Sequence, residues 1–292
     1  MSQPSFRVSP VTPRIGAEVS GVDLSLPLDD EMVRAIRTAL VEHQVLFFRD
    51  QDLTLDQHKA FGRRFGALHV HPASPSPEGH PEVLPIHADA RSKRVAGEAW
   101  HTDVSCDEEP PMASILRLHT VPPCGGDTLF ASMFAAYDAL SRPMQDFLSG
   151  LTAVHSGEHV YRGYYRYAEG QRADSKAAFP QARHPVIRTH PESGRQAIFV
   201  NTGFTTHIEG LTRRESDALL QFLYAHCARP EFQVRFRWAP GSIAFWDNRS
   251  TQHHAMWDYY PQVRSGYRVT IQGDRPFHRA QESAASRSTV PA

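Results

Sequence analysis

Trp100-His101-Thr102-Asp103 is the first place in this 292-residue chain where residue type and spacing suggest chemistry. In an extended segment residues i and i+2 project from one face, so His101 and Asp103 present an imidazole and a carboxylate side by side. A third ligand from a distant strand would complete a two-histidine, one-carboxylate facial set, which leaves adjacent positions open on Fe(II). The spacing alone is unselective. His80/Glu82, His87/Asp89, His190/Glu192 and His207/Glu209 repeat it in a chain of 17 histidines, and each could be a surface turn pair. A second piece, Trp246-Asp247-Asn248-Arg249-Ser250-Thr251-Gln252-His253-His254, carries two histidines just past an apolar run. They suit a metal ligand or a solvated loop. Arg264 and Arg268 have equal parity and would share a face if a strand reaches back to Arg264. On an outer face they meet solvent. In a barrel lumen a guanidinium needs an anion, which it grips through paired hydrogen bonds. Gly125-Gly126-Asp127-Thr128 reads as a turn entering a strand, placed to aim the Thr128 hydroxyl at a ligand.

These pieces must be held by a scaffold, and the pattern of the chain suggests which. Phe232, Val234, Phe236 and Trp238 alternate with polar residues, as do Tyr267, Val269 and Ile271, so both runs read as strands. Val45–Phe48, Ser114–Val121, Thr128–Phe130, Gln196–Val200 and Ser242–Trp246 read as further strands, and shorter ones lie near Phe6–Val8 and Ile15–Val19. Helices are expected over residues 32–41, capped by Asp29 or Asp30, and from Thr54 to Gly66 with a Thr54/Gln57 capping box. Others run over residues 135–149, interrupted at Pro143, and after Thr212 with Glu215. The prolines between residues 69 and 99 predict an irregular segment acting as a lid, and residues 156–181 read as a second mobile surface segment. Helices cluster between sets of strands without strict alternation. That favours a sheet sandwich or barrel decorated by helices over a doubly wound parallel sheet.

Composition narrows the function. The 31 Lys plus Arg against 32 Asp plus Glu leave a net charge of −1, which argues against nucleic-acid and membrane-surface binding. Three cysteines, Cys106, Cys124 and Cys227, form neither a disulfide framework nor a zinc knuckle. With no basic-then-apolar leader and no long apolar run, a cytoplasmic protein is expected. There is no GxGxxG after a strand, no GxxxxGK[ST], no GxSxG and no HExxH. Dinucleotide oxidoreductases, P-loop enzymes, α/β-hydrolases and zincin proteases therefore drop out.

The conjunction is more specific than its parts. The order is H-x-D, a GGDT turn, WDN-x-x-T-x-H and then an arginine eleven residues past the histidine. It resembles the Fe(II)/2-oxoglutarate dioxygenases of the taurine dioxygenase family, which also includes alkylsulfatase and aryloxyalkanoate dioxygenases. The likeness runs from Ile15-Gly16-Ala17 through His43-Gln44-Val45, Arg64-Phe65-Gly66, His184-Pro185-Val186 and Gly203-Phe204-Thr205-Thr206 to Gly273-Asp274-Arg275-Pro276-Phe277. It implies a double-stranded β-helix (jelly-roll) core with flanking helices in one domain over residues 1–278, while the Ser/Ala-rich composition of residues 279–292 predicts a disordered tail. It also implies Fe(II) on His101, Asp103 and His253 rather than His254. Arg264 and Thr128 would hold the far carboxylate of 2-oxoglutarate, and His71, Phe204 and Arg268 would contact substrate. The implied reaction couples decarboxylation of 2-oxoglutarate to succinate with hydroxylation of a substrate C–H.

Departures from the taurine type fall around the substrate. Ser74 stands where a tyrosine is expected, and Ala96-Gly97-Glu98-Ala99 replaces an asparagine-rich stretch. The segment around Tyr161 is richer in aromatic and basic residues. The expected partners are a small organic anion other than taurine (a sulfonate, alkyl sulfate or aryloxy acid) and dioxygen, in a homo-oligomer, dimer or tetramer. Other classes on the same scaffold are a metal-binding jelly-roll protein and a cupin-like metalloenzyme without 2-oxoglutarate, for which Arg264 would have no use.

Overall fold

The apolar run Val45–Phe48 shows how the layers are built, because it is buried on both faces. Val45 and Phe47 point toward Phe130, Phe236 and Trp246, while Leu46 and Phe48 join Ile36, Leu40 and Phe61 on the other side. A strand wedged between two cores loses its polar alternation. The computed structural model describes residues 6–71, 76–161 and 179–280.

A seven-stranded sheet runs in the order Arg7–Pro10, Ala17–Ser20, Val45–Phe48, Ser242–Asp247, Ala113–Thr120, Arg264–Ile271, Val83–Ala88. A three-stranded sheet of Gln233–Phe236, Thr128–Ser132 and Thr251–Ala255 is built alongside. Side chains of both sheets share one core, with Phe47 stacked on Phe236 at 4.0 Å and Phe130 packed 5.6 Å from Trp246. This is the jelly-roll. The helices Asp30–His43 and Leu55–Arg63 pack on the opposite side of the larger sheet. The first is capped by Asp29, which accepts from the Met32 amide, and the second by the Thr54/Gln57 box. A further layer joins the helices Met133–Asp138, Arg142–Ser149 and Arg213–Cys227 to short strands between Thr152 and Ile208. Pro143 opens the second of these helices rather than breaking one long helix.

Two expected irregular segments contain order. Residues 69–99 include the strand Val83–Ala88, paired with Arg264–Ile271 in the register Leu84↔Arg268 and Ala88↔Arg264. Pro85 is tolerated there because this is an edge strand, half of whose backbone pairs with nothing. Within 156–181, Glu158–Tyr161 is a short helix and Tyr161 is buried. Residues 162–178 lie outside the described residues, as do Ser74 and residues 281–292. Arg279 is anchored, its amide donating to Thr189 Oγ1 at 2.8 Å.

His58 ties helix to sheet. It is buried, and its Nε2 lies 3.1 Å from the Ile115 carbonyl. Burial pushes its pKa down to about 4. The folded chain therefore binds fewer protons than the unfolded one between pH ~6.5 and about 4, so this contribution is intact above pH ~6.5 and is lost as pH falls toward 4. Thermal unfolding followed from pH 7 to 4 should show a shallower acid loss in His58→Gln than in the parent, by up to ~3 kcal/mol. Parallel pH profiles would contradict this.

Candidate active site

A backbone bridge brings the first two motifs together. The His101 amide donates to the His253 carbonyl at 3.1 Å and the His253 amide returns the bond at 2.8 Å. Residues directly opposite in an antiparallel pair project to the same face, and the two imidazole centroids lie 4.1 Å apart. Asp103, two residues on from His101, brings its Oδ1 to 3.8 Å from His101 Nε2 and 3.9 Å from His253 Nε2. These three residues are the group of potential metal ligands found among the described residues. His254 instead packs against Trp100, with centroids 5.6 Å apart.

The donor set suits a divalent first-row ion, and its surroundings prepare it. His101 Nδ1 lies 2.8 Å from the Ala99 carbonyl, so that nitrogen carries the proton and Nε2 keeps its lone pair for a metal. The imidazole also needs Gly203: a Cβ there would sit 2.7 Å from His101 Cβ, a gap that only glycine leaves. His253 is held by rings instead, 4.7 Å from Trp246 and stacked on Phe130 at 6.0 Å. Burial lowers the pKa of both histidines and keeps them neutral. Burial pulls the other way on Asp103, but the charge of the Arg268 guanidinium leads the interactions that hold the carboxyl well below the usual range. Arg268 Nη1 donates to Asp103 Oδ1 at 2.6 Å, and the Ser114 hydroxyl donates to Oδ2 at 2.6 Å.

A cavity of about 270 Å³ opens from this group, and every site residue expected from the sequence lines it: His71, His101, Asp103, Thr128, Phe204, His253, Arg264 and Arg268. Arg264 is buried at one end. Among the described residues it donates to two neutral acceptors, the Gly126 carbonyl at 2.9 Å and the Thr128 hydroxyl at 3.2 Å. Thr128 Oγ1 also receives the Trp238 indole N–H at 3.0 Å. With two donors arriving, the threonine's own hydrogen is directed elsewhere. The Gly126 carbonyl is held in turn, because Asp258 accepts from the Gly126 amide at 2.8 Å and the left-handed φ of +72° there suits glycine.

The other end is apolar. Val104, Val160, Tyr161 and Phe204 form a wall, with Tyr161 and Phe204 edge to face at 6.2 Å. Leu84 and Ile86, from the edge strand hidden among the prolines, form another part of the lining. Arg268 Nε is buried there with no hydrogen-bond partner among the described residues. His71 stands beside Tyr161 at 5.8 Å, and burial together with Arg268 pushes its pKa down to about 4. It is therefore neutral at pH 7, beside the positive charge of Arg268. Sequence reasoning did not single out Ser114, Trp238 or Asp258. Asn248, which touches Ser114, lay inside a quoted motif without an assigned role.

Known proteins resemble this chain over most of its length. The chain is 40% identical over 275 residues to an alpha-ketoglutarate-dependent sulfate ester dioxygenase of Pseudomonas putida, covering 92% of this chain and 90% of that one. The crystal structure of a taurine dioxygenase from Burkholderia xenovorans superposes with a TM-score of 0.80 at 41% identity, covering 94% and 93% of the two chains. A structure of AAD-2 in complex with Mn(II) and N-oxalylglycine matches with a TM-score of 0.77 at 28% identity, covering 93% of this chain and 99% of that one. The family model described as taurine catabolism dioxygenase TauD, TfdA family matches residues 7–270, and the chain belongs to that family.

Proposed function

We propose that the protein is an Fe(II)- and 2-oxoglutarate-dependent dioxygenase that hydroxylates a small organic anion and releases succinate and carbon dioxide. One observation carries the reading: Arg264, a buried guanidinium that donates to the neutral Gly126 carbonyl and Thr128 hydroxyl, shares one cavity with the His101/Asp103/His253 group. A buried cation calls for an anion. A dicarboxylate that chelates a metal at one end and reaches Arg264 with the other meets both needs. The names of the Pseudomonas relative and the N-oxalylglycine complex point the same way.

His101, Asp103 and His253 would hold Fe(II), through two neutral nitrogens and one anionic oxygen. Bound there with 2-oxoglutarate and dioxygen, the ion supplies the oxidation, in which one oxygen atom enters succinate and the other a substrate C–H bond. The chain's own residues set the geometry. Arg264 and the Thr128 hydroxyl grip the distal carboxylate. Arg268, through Nε, takes the substrate's anionic head, and His71 adds a neutral hydrogen bond. The wall of Val104, Val160, Tyr161 and Phe204 excludes water and packs an apolar substrate body. Hydroxylation next to a heteroatom gives an unstable product that splits into a carbonyl compound and the anionic fragment. Cys106, Cys124 and Cys227 are all unpaired, which supports a reducing, cytoplasmic setting.

Succinate release on adding Fe(II), 2-oxoglutarate and a panel of sulfonates, sulfate esters and aryloxy acids tests the assignment. No substrate-dependent succinate from any anion, but turnover of a neutral or cationic compound, would remove Arg268 from its role. An apolar-bodied anion should give a higher kcat/KM than taurine, whose ammonium finds no place on the apolar wall, and taurine ranking first would refute that. Asp103→Ala and His253→Ala should abolish turnover with the fold retained, while His254→Ala stays active. The reverse pattern for the two histidines would overturn the ligand assignment. Arg264→Ala should weaken 2-oxoglutarate by ~3–5 kcal/mol, two to three or more decades in affinity. Loss of substrate affinity instead, with 2-oxoglutarate binding unchanged, would exchange the roles of Arg264 and Arg268.

A further inference from the structure

The Asp103 carboxylate uses its two oxygens differently, and the hydrogens that enforce this can be traced. Oδ1 faces both imidazoles and accepts from Arg268 Nη1 at 2.6 Å, while Oδ2 receives the Ser114 hydroxyl. A hydroxyl can turn, so its neighbours decide where its hydrogen goes. The Trp246 indole N–H can only donate, and it lies 2.9 Å from Asn248 Oδ1. That fixes the Asn248 amide, with its oxygen toward the indole and its nitrogen toward Ser114. Nδ2 then donates to Ser114 Oγ at 3.0 Å. With that lone pair taken, the one hydrogen on Ser114 goes to Asp103 Oδ2 at 2.6 Å. Asn248 Oδ1 also lies 3.4 Å from the Asp103 amide, and the Thr102 hydroxyl donates to the Asn248 carbonyl at 2.7 Å, so the same residue grips the H-x-D backbone. Trp246, Asn248, Ser114 and Asp103 are all buried, so no solvent competes along the chain.

We propose that Asn248 and Ser114 are positioning residues of the metal centre: the relay from the Trp246 indole ties Asp103 Oδ2 to Ser114 and so keeps Oδ1, the oxygen that Arg268 Nη1 also reaches, turned toward His101 and His253. The consequence is functional. A carboxylate free to turn could offer both oxygens and so take up one of the positions that a chelating cosubstrate and dioxygen need. The inference rests on the metal reading above and adds to it the residues that hold Asp103 in that orientation.

Mn(II) binding to the purified chain, followed by the EPR signal of the free ion, tests it without turnover. Ser114→Ala should weaken Mn(II) binding by ~10–100-fold in protein that is still folded, as loss of a partner behind a metal ligand typically does. Asn248→Asp keeps the shape but replaces the donor by an acceptor, which draws the Ser114 hydrogen away from Asp103, and should weaken binding comparably. Because the two act in series, the double variant should bind little worse than either single one. Mn(II) affinity in Ser114→Ala within about twofold of the parent would overturn the proposal while leaving the metal site standing. A parent chain that binds no Mn(II) would overturn the metal reading itself. If Asn248→Asp fails to fold, Ser114→Ala decides alone.

Discussion

Burying the Asp103 carboxylate is the constraint around which the site is arranged. At 2% exposure the charge has lost its water, and an unpaired carboxylate in such a place costs several kcal/mol. The fold compensates from two directions: Arg268 from the strand Arg264–Ile271 and Ser114 from Ala113–Thr120. These two strands are neighbours in the larger sheet, and Ser242–Asp247, which leads into Asn248, is the next one over. The sheet order is thus the device that makes one buried negative charge tolerable.

The same arithmetic gives the cavity its polarity. Asp103 sits between two guanidiniums, Arg264 beyond Thr128 and Arg268 beside the apolar wall. The net charge of −1 over the whole chain hides this local excess of positive charge. Arg268 is shared, since Nη1 is engaged by Asp103 while Nε has no partner among the described residues. An anionic head docking there would bind to the same side chain that stabilises the metal-binding carboxylate. On the proposed reading, substrate and metal sites would touch through one residue, whereas Arg264 would serve the cosubstrate end.

Much of this was legible in the sequence, for reasons that are local. The i, i+2 rule puts His101 and Asp103 on one face, and the equal parity of Arg264 and Arg268 survives into the strand that carries both. Short-range caps at Thr54 and Thr212 read directly. What was not legible depends on long-range pairing. Val83–Ala88 is a strand only because Arg264–Ile271 lies beside it, and Pro85 within it gives the opposite local signal. Periodicity cannot choose between His253 and His254; family resemblance pointed to His253, and the bridge to His101 is consistent with that. Ser114 looks like any small residue in a strand until Asn248, 134 positions away, turns its hydroxyl.

The central claim is that the His101/Asp103/His253 group and Arg264 are two ends of one site for a single dicarboxylate. Calorimetric titration of 2-oxoglutarate into the chain, with and without Mn(II) and in the absence of oxygen, measures the coupling directly. The account predicts that Mn(II) strengthens 2-oxoglutarate binding and that, by reciprocity, 2-oxoglutarate strengthens Mn(II) binding by the same factor. Equal 2-oxoglutarate affinity with and without the metal would mean that the two ends do not share a ligand, and would contradict it.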